Sequence, residues 1–243
     1  MKKLLLIALL ALLPVFAQAE EGLLKAHVNI NDTASLQRGA KYFVNYCMGC
    51  HSAHYVRYNR LGQDLGLNDT QLESYLMPAG AKTSDTMDSA MPAADSEKWF
   101  GRTPPDLSLE AASRGADWVY TYLKAFYVDP KSATGANNTM LPNAAMPDVL
   151  WELQGLQKPV YKTVTDSSGA SYKVVDHFEQ ITQGTLTPEQ YDQVAMDLTN
   201  FLSYIAEPVQ IESRDLGIKV IGFLIVFFLF AFMLKREIWK QIH

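Results

Sequence analysis

Residues 42–60 read YFVNYCMGCHSAHYVRYNR, and this stretch contains Cys47 and Cys50, the only two cysteines of the 243-residue chain. His51 follows directly. In a helical turn, residues three and four apart face the same side, so both sulfurs and the imidazole point one way. Two sulfurs so placed can reach the vinyl groups of a haem while the imidazole approaches its iron. The Cys-x-x-Cys-His spacing therefore predicts one covalently bound haem c.

Other uses of the two cysteines fit less well. A structural zinc site needs four ligands, and no second cysteine pair exists, although His27 and His54 could contribute. A thioredoxin-like dithiol would leave His51 without a role and lacks a βαβ context. A disulfide between Cys47 and Cys50 would close a very small loop and restrict little chain entropy. Haem attachment is the interpretation that uses all three residues.

The two ends of the chain indicate export and membrane anchoring. Residues 1–19 combine two lysines, an apolar run and an Ala-Gln-Ala site, which is the layout of a secretory signal peptide. Residues 216–234 are apolar apart from Lys219, and these 19 residues cover roughly 28 Å as a helix, enough to cross a bilayer. Basic residues follow this run directly, which favours a cytoplasmic C-terminus.

We therefore expect four regions: a cleaved signal peptide at 1–19, a periplasmic haem domain at 20–213, a transmembrane anchor at 214–236 and a cytoplasmic tail at 237–243. The expected location is the bacterial inner membrane, crossed once.

The exported part of the chain is acidic. Six of the 21 basic residues and one of the 26 acidic residues belong to the two apolar ends, so residues 20–218 hold 15 basic and 25 acidic residues. A net charge of about −10 excludes nucleic acid as a partner. It is compatible with a basic protein partner, and equally with ordinary solubility.

Helical periodicity predicts one helix near each end of the exported domain. A helix is predicted ahead of Cys47, capped by Asp32 or Thr33, and a second after Thr187, with Pro188 in its first turn and Gln190 completing a capping box. Gly39 would let the two helices pack closely. A third helix is predicted between residues 107 and 128, a long loop at 78–95, and a small hairpin around the Asp-Ser-Ser-Gly turn within 160–178. The fold class is mainly α, a cytochrome c-like domain with a hairpin insertion and a C-terminal transmembrane helix.

The sixth iron ligand decides what a haem can do. An open position permits peroxidase-type chemistry, whereas a methionine thioether favours electron transfer. Met196 fits a helix interior, and three exported methionines precede proline, which biases them towards extended backbone. The residue pattern alone leaves Met77, Met91 and Met146 open.

Three further segments carry a family resemblance. They are RTPPDLSLEAASRGADWVYTYLKAFY at 102–127, LPNAAMPDVLWE at 141–152 and DLTNFLSYIAEP at 197–208, followed by an anchor ending in KREIW. Together they resemble the cytochrome c1 family, the haem subunit of the ubiquinol–cytochrome c reductase or cytochrome bc1 complex. The similarity extends from about Arg38 to Trp239.

The resemblance implies roles for five residues. Met146 would be the sixth iron ligand, Arg114 would lie near a haem propionate, Pro104 and Pro105 would line the haem edge, and Trp118 would stand beside the haem. The segment KWFGRTPPDL at 98–107, which contains both prolines, departs from the Asn-rich sequence of many family members, and this leaves the propionate contacts there open.

The resemblance also implies a function. The chain would be an electron-transfer subunit, not an enzyme on its own. It would accept one electron from a Rieske iron–sulfur protein and pass it to a soluble cytochrome c, assembled with cytochrome b in a dimeric complex and with membrane lipid. The alternatives are another membrane-anchored monohaem cytochrome that feeds a terminal oxidase, and an open-haem peroxidase-type enzyme.

Overall fold

The computed structural model describes residues 22–166 and 168–240, so the predicted signal peptide at 1–19 lies outside the described residues. The helices within these ranges are α1 Thr33–Tyr42, α2 Tyr58–Leu65, α3 Asp69–Tyr75, α4 Ala93–Phe100, α5 Glu110–Arg114, α6 Ala116–Lys124, α7 Trp151–Gln154, α8 Pro188–Ala206 and α9 Gln210–Lys240. A π-helical turn, Phe43–Cys47, extends α1. The strands are β1 Ala53–Arg57, β2 Thr86–Met87, β3 Phe126–Val128, β4 Ala136–Asn138, β5 Gln157–Thr165 and β6 Ser171–Gln180.

The crossing of α1 and α8 forms the centre of the domain. Asp32 caps α1 by accepting the backbone N–H of Ser35, and a complete capping box of Thr187 and Gln190 starts α8, as predicted. A Cβ added at Gly39 would lie 2.1 Å from the carbonyl oxygen of Asp197, so only glycine permits this approach of the two helices. The close packing expected at Gly39 is confirmed.

A buried polar cluster ties the same two helices together. The Asp197 carboxylate, 1% exposed, accepts hydrogen bonds from Ser35 Oγ at 2.7 Å and from Arg38 Nε at 2.6 Å. Asn200 donates to Ser35 Oγ at 2.7 Å. Because each partner of the buried carboxylate is a donor, its desolvation is offset, and α1 and α8 are locked in one register.

Two segments differ from the structure that their sequences predict. The single helix expected between residues 107 and 128 is divided into α5 and α6 at Gly115, whose φ of +90° is incompatible with a continuing helix. The loop expected at 78–95 contains β2, which pairs with β1, and the first turn of α4. In both cases a short element is stabilised by contacts distant in sequence, which a local pattern does not reveal.

The hairpin and the C-terminal helix agree with expectation. β5 and β6 form an antiparallel pair, and β3 pairs with β4 in a second, shorter hairpin. Within α9, the most apolar 18-residue window of Leu216–Lys240 has a mean hydropathy of 2.6, and this helix is long and apolar enough to cross a membrane. The fold is about half helical, which confirms the mainly α class.

Candidate haem-binding site

The attachment motif lies in the turn that follows the π-helical extension of α1. The backbone N–H of Met48 donates to Phe43 O at 2.9 Å, which is the wider π-helical spacing. The N–H groups of Cys50 and His51 then both donate to Cys47 O, at 3.0 and 2.8 Å. The chain therefore keeps a helical turn through the motif although the regular helix ends earlier. Cys50 and His51 line the cleft described below, whereas Cys47 is buried in the core and is not among its lining residues.

The thiols are not activated in the manner of a redox dithiol. Burial raises the pKa of Cys47 to about 12, and it also raises the pKa of the half-buried Cys50. A reactive dithiol needs a lowered pKa so that a thiolate is present at neutral pH. The shift at both cysteines is in the opposite direction, which disfavours a thioredoxin-like role.

His51 is oriented by one hydrogen bond. Its Nδ1 lies 2.7 Å from the carbonyl oxygen of Pro105, and because a carbonyl only accepts, Nδ1 carries the proton. Nε2 is then the nitrogen with a free lone pair. Burial lowers the pKa of the ring, against the opposing effect of the bond to Pro105, so the imidazole is held neutral. A neutral ring with a fixed tautomer is the form that binds a metal.

An apolar cleft with a cavity volume of about 70 Å³ opens beside the motif. His51, Cys50 and Met146 line it together with Arg102 and a mostly apolar wall formed by Tyr46, Phe100, Pro104, Pro105, Ala145, Pro147 and Val149. An attachment thiol, a nitrogen ligand, a sulfur ligand and apolar walls are the groups that a c-type haem requires. The residues present therefore fit the haem that the motif implies.

The position of Met146 separates it from the other methionines. Within the described ranges, it is the methionine that lines the cleft with His51. Met87 is fully buried in the core, Met77 packs against the core, Met140 lines a cleft beside the β5–β6 hairpin, and Met91 lines a neighbouring cleft with Cys50. Among these methionines, the one that shares a cleft with His51 is thus the one that the resemblance implies.

The other predicted residues divide into two groups. Pro104 and Pro105 line the cleft, and Pro105 also orients His51. Arg114 and Trp118 are not among its lining residues: the Arg114 guanidinium lies 4.5 Å above the Trp118 ring and its Nε bonds to Glu110 at 2.8 Å. Both residues are connected to the site indirectly, because the Trp118 ring stacks on the Tyr122 ring.

Three residues at the site were not predicted from the sequence: Arg102, Phe100 and Tyr122. Arg102 is the arginine that lines the cleft in the described structure. Its place two residues before Pro104 was the available signal. Tyr122 donates its hydroxyl to Met146 Sδ at 3.5 Å, and its spacing of four residues from Trp118 puts both rings on one face of α6.

Comparison with known proteins extends this picture. A model of the cytochrome C1 family matches residues 24–242. The chain belongs to this family. Cytochrome c1 of Allochromatium vinosum is 44% identical over the whole length of both chains. A protein of Nitrosomonas europaea named ammonia monooxygenase gamma subunit is 42% identical, covering all of this chain and 99% of its own. The mitochondrial cytochrome c1 heme protein of Saccharomyces cerevisiae is 26% identical over 87% of this chain and 68% of its own.

Membership of the cytochrome C1 family establishes the cofactor of this chain and its general role. Cytochrome c1 proteins bind haem c covalently, and they are haem electron-transfer subunits of the cytochrome bc1 complex. The chain is therefore a haem c protein of electron transport, which confirms the predicted cofactor, and its C-terminal helix suits a membrane-anchored member of the family.

Proposed function

We propose that this chain accepts single electrons from a Rieske iron–sulfur protein and passes them to a soluble cytochrome c, within a dimeric complex that contains cytochrome b. The observation that carries the proposal is the convergence of His51 and Met146 on one apolar cleft beside Cys50. His51 and Met146 would together supply two protein ligands to a haem iron, which suits electron transfer, whereas an oxygen- or peroxide-activating site keeps one position open.

Each residue then has a defined task. Cys47 and Cys50 would attach the haem through thioethers, and His51 Nε2 and Met146 Sδ would bind its iron. Pro105 O holds the His51 tautomer, and Pro104 and Pro105 would cover the haem edge. When bound, the haem supplies the one-electron chemistry. The protein excludes water through the apolar walls and fixes the donors, so little rearrangement accompanies electron transfer.

The proposed topology follows from the two ends of the chain. Residues 20–213 form the periplasmic haem domain, 214–236 the anchor and 237–243 the cytoplasmic tail, after removal of 1–19. The basic residues that follow the apolar segment support this orientation. The acidity of residues 20–218 supports a basic soluble cytochrome as acceptor, because complementary charge speeds encounter.

Detergent purification of the tagged full-length chain tests the proposal. We expect covalent haem, a ferric near-infrared band typical of sulfur ligation, and co-purification of cytochrome b and the Rieske protein. A five-coordinate spectrum would contradict the electron-transfer site. Recovery of terminal-oxidase subunits instead of cytochrome b, or of monooxygenase subunits such as the name of the Nitrosomonas europaea relative suggests, would assign the chain to another complex.

A further inference from the structure

Tyr122 is placed to act on Met146 although the established family role does not require it. Its hydroxyl is directed at Met146 Sδ with an oxygen–sulfur separation of 3.5 Å. Sulfur is larger than oxygen, so this distance is a hydrogen bond in which the phenol donates. A thioether sulfur has two lone pairs, so it can bind a metal through one and accept this hydrogen bond with the other.

Tyr122 is held firmly on both sides. Its ring is stacked on Trp118 with a centroid separation of 4.9 Å and an interplanar angle of 13°, and Phe126 meets it edge-on at 5.1 Å. Arg114 covers the far face of this stack through its contact with Trp118. The phenol is therefore pre-oriented, unlike a mobile surface tyrosine.

The backbone at Tyr122 is also tied to the chain that leads to Met146. The side-chain amide of the fully buried Asn138 donates to Tyr122 O at 2.9 Å, while Asn138 Oδ1 accepts the N–H of Met140. One buried side chain thus links α6 to the start of the loop that carries Met146. The flexible Met146 side chain is restrained at its sulfur by Tyr122, and the start of its loop is anchored at Met140 by Asn138.

We propose that Tyr122 is a positioning residue that fixes the Met146 thioether and raises the reduction potential of the site. The proposal rests on ligation of the iron by Met146. A donor on the sulfur withdraws electron density from it, and ferric iron needs that density more than ferrous iron does. The hydrogen bond therefore favours the ferrous state and helps to prevent displacement of the sulfur.

Tyr122→Phe in the full-length, detergent-purified chain tests this, because it removes the hydroxyl and keeps the stacked ring. We expect the ferric–ferrous equilibrium to move two- to tenfold towards ferric, since one such bond contributes about 0.5–1.5 kcal/mol. A tenfold change lowers the potential by about 59 mV. Added imidazole should displace the sulfur from ferric iron at a two- to tenfold lower concentration, while the near-infrared band persists without imidazole.

Tyr58→Phe is the matched control. Tyr58 donates its hydroxyl to the sulfur of Met48, also at 3.5 Å, but Met48 is not a proposed ligand. We expect the reduction potential and imidazole affinity of Tyr58→Phe to match those of the unaltered chain.

Unchanged values in Tyr122→Phe, or equal shifts in both variants, would overturn the role of Tyr122. Absence of the near-infrared band from the unaltered chain would instead refute ligation by Met146. Tyr122→Leu provides a second variant without the hydroxyl, and its potential must also fall.

Discussion

The two walls of the haem cleft are built in different ways. The His51 wall is a continuation of α1, in which backbone hydrogen bonds to Cys47 O position the motif and α1 is locked against α8. The Met146 wall is irregular chain between β4 and α7, and Met146 Sδ is held by a side-chain hydrogen bond from Tyr122. One wall is part of the domain core, and the other is attached to it by side chains.

This difference suggests a division of labour. A wall fixed by backbone bonds and core packing provides a permanent attachment, because loosening it would cost much of the free energy of unfolding. A wall held by side chains can be altered without unfolding the domain, so evolution or mutation can tune the potential there. Substitutions on the His51 side should therefore affect assembly, and those on the Met146 side should affect redox properties.

Loss of an attachment thiol should have the largest effect. Cys47→Ala leaves at most one thioether, and we expect the mature haem-containing protein to be severely reduced. Denaturing electrophoresis with a haem stain measures this. Met48→Leu, a nearly volume-conserving change inside the same motif, should retain the stain. Full staining of Cys47→Ala would show that the His51 wall does not depend on both attachments.

The same contrast explains which parts were predictable from the sequence. The motif is local: the spacing of Cys47, Cys50 and His51 is sufficient to state its chemistry, and the cap at Asp32 and the close approach at Gly39 follow from local rules as well. Met146 lies 95 residues beyond His51, and residue types alone did not distinguish it from Met77 or Met91. Its position depends on tertiary contacts, which the family resemblance encodes and periodicity does not.

Residues near the site were missed for the same physical reason. Arg102 comes to the cleft through the turn between α4 and the Pro104–Pro105 pair, and nothing local to that turn indicates a haem. Tyr122 reads as a core aromatic of an amphipathic helix, and its hydroxyl gains a partner only when the Met146 loop folds back. The break at Gly115 was visible as a glycine, but its φ of +90° was not.

Removal of the Met146 sulfur should have the largest effect on redox properties. Met146→Leu keeps an apolar side chain of similar size, so covalent haem should be retained while the near-infrared band disappears. We expect the potential to fall by on the order of 0.2 V, within the range of about 0.8 V that axial ligands span. Quinol oxidation by the complex should then stall, because electron acceptance becomes unfavourable.

The competing methionines provide the controls for that experiment. Met91→Leu and Met140→Leu should keep the band and the potential, because neither residue lines the cleft with His51. If Met146→Leu kept the band and either control lost it, the ligand assignment would be wrong although the haem would remain.

Added bulk where α1 contacts α8 should destabilise the His51 wall, with a smaller effect than the substitutions of Cys47 and Met146. Gly39→Ala places a Cβ against the backbone of α8, which cannot move aside as a flexible side chain can. We expect a loss of about 3 kcal/mol in the free energy of unfolding, at the upper end for overpacking. Urea denaturation of the purified chain measures it. Gly49→Ala, whose added Cβ has no atom within 4 Å, should change the value by less than about 0.5 kcal/mol.

Substitution of the two arginines near the cleft should have the smallest effect on the reduction potential. Arg102 is exposed and lines the cleft, whereas Arg114 is engaged with Glu110 and Trp118. Removal of a positive charge from the lining of the cleft should stabilise ferric iron, so Arg102→Gln should lower the potential. The change should not exceed the roughly 1 kcal/mol of an exposed ion pair, and it should shrink as salt is added.

Arg114→Gln removes a charge already paired with Glu110, so we expect a smaller change. Redox titration of both variants at low and high salt gives the comparison. If Arg114→Gln produced the larger shift, Arg114 would be the propionate partner that the family resemblance implies, and bound haem would have drawn it away from Glu110.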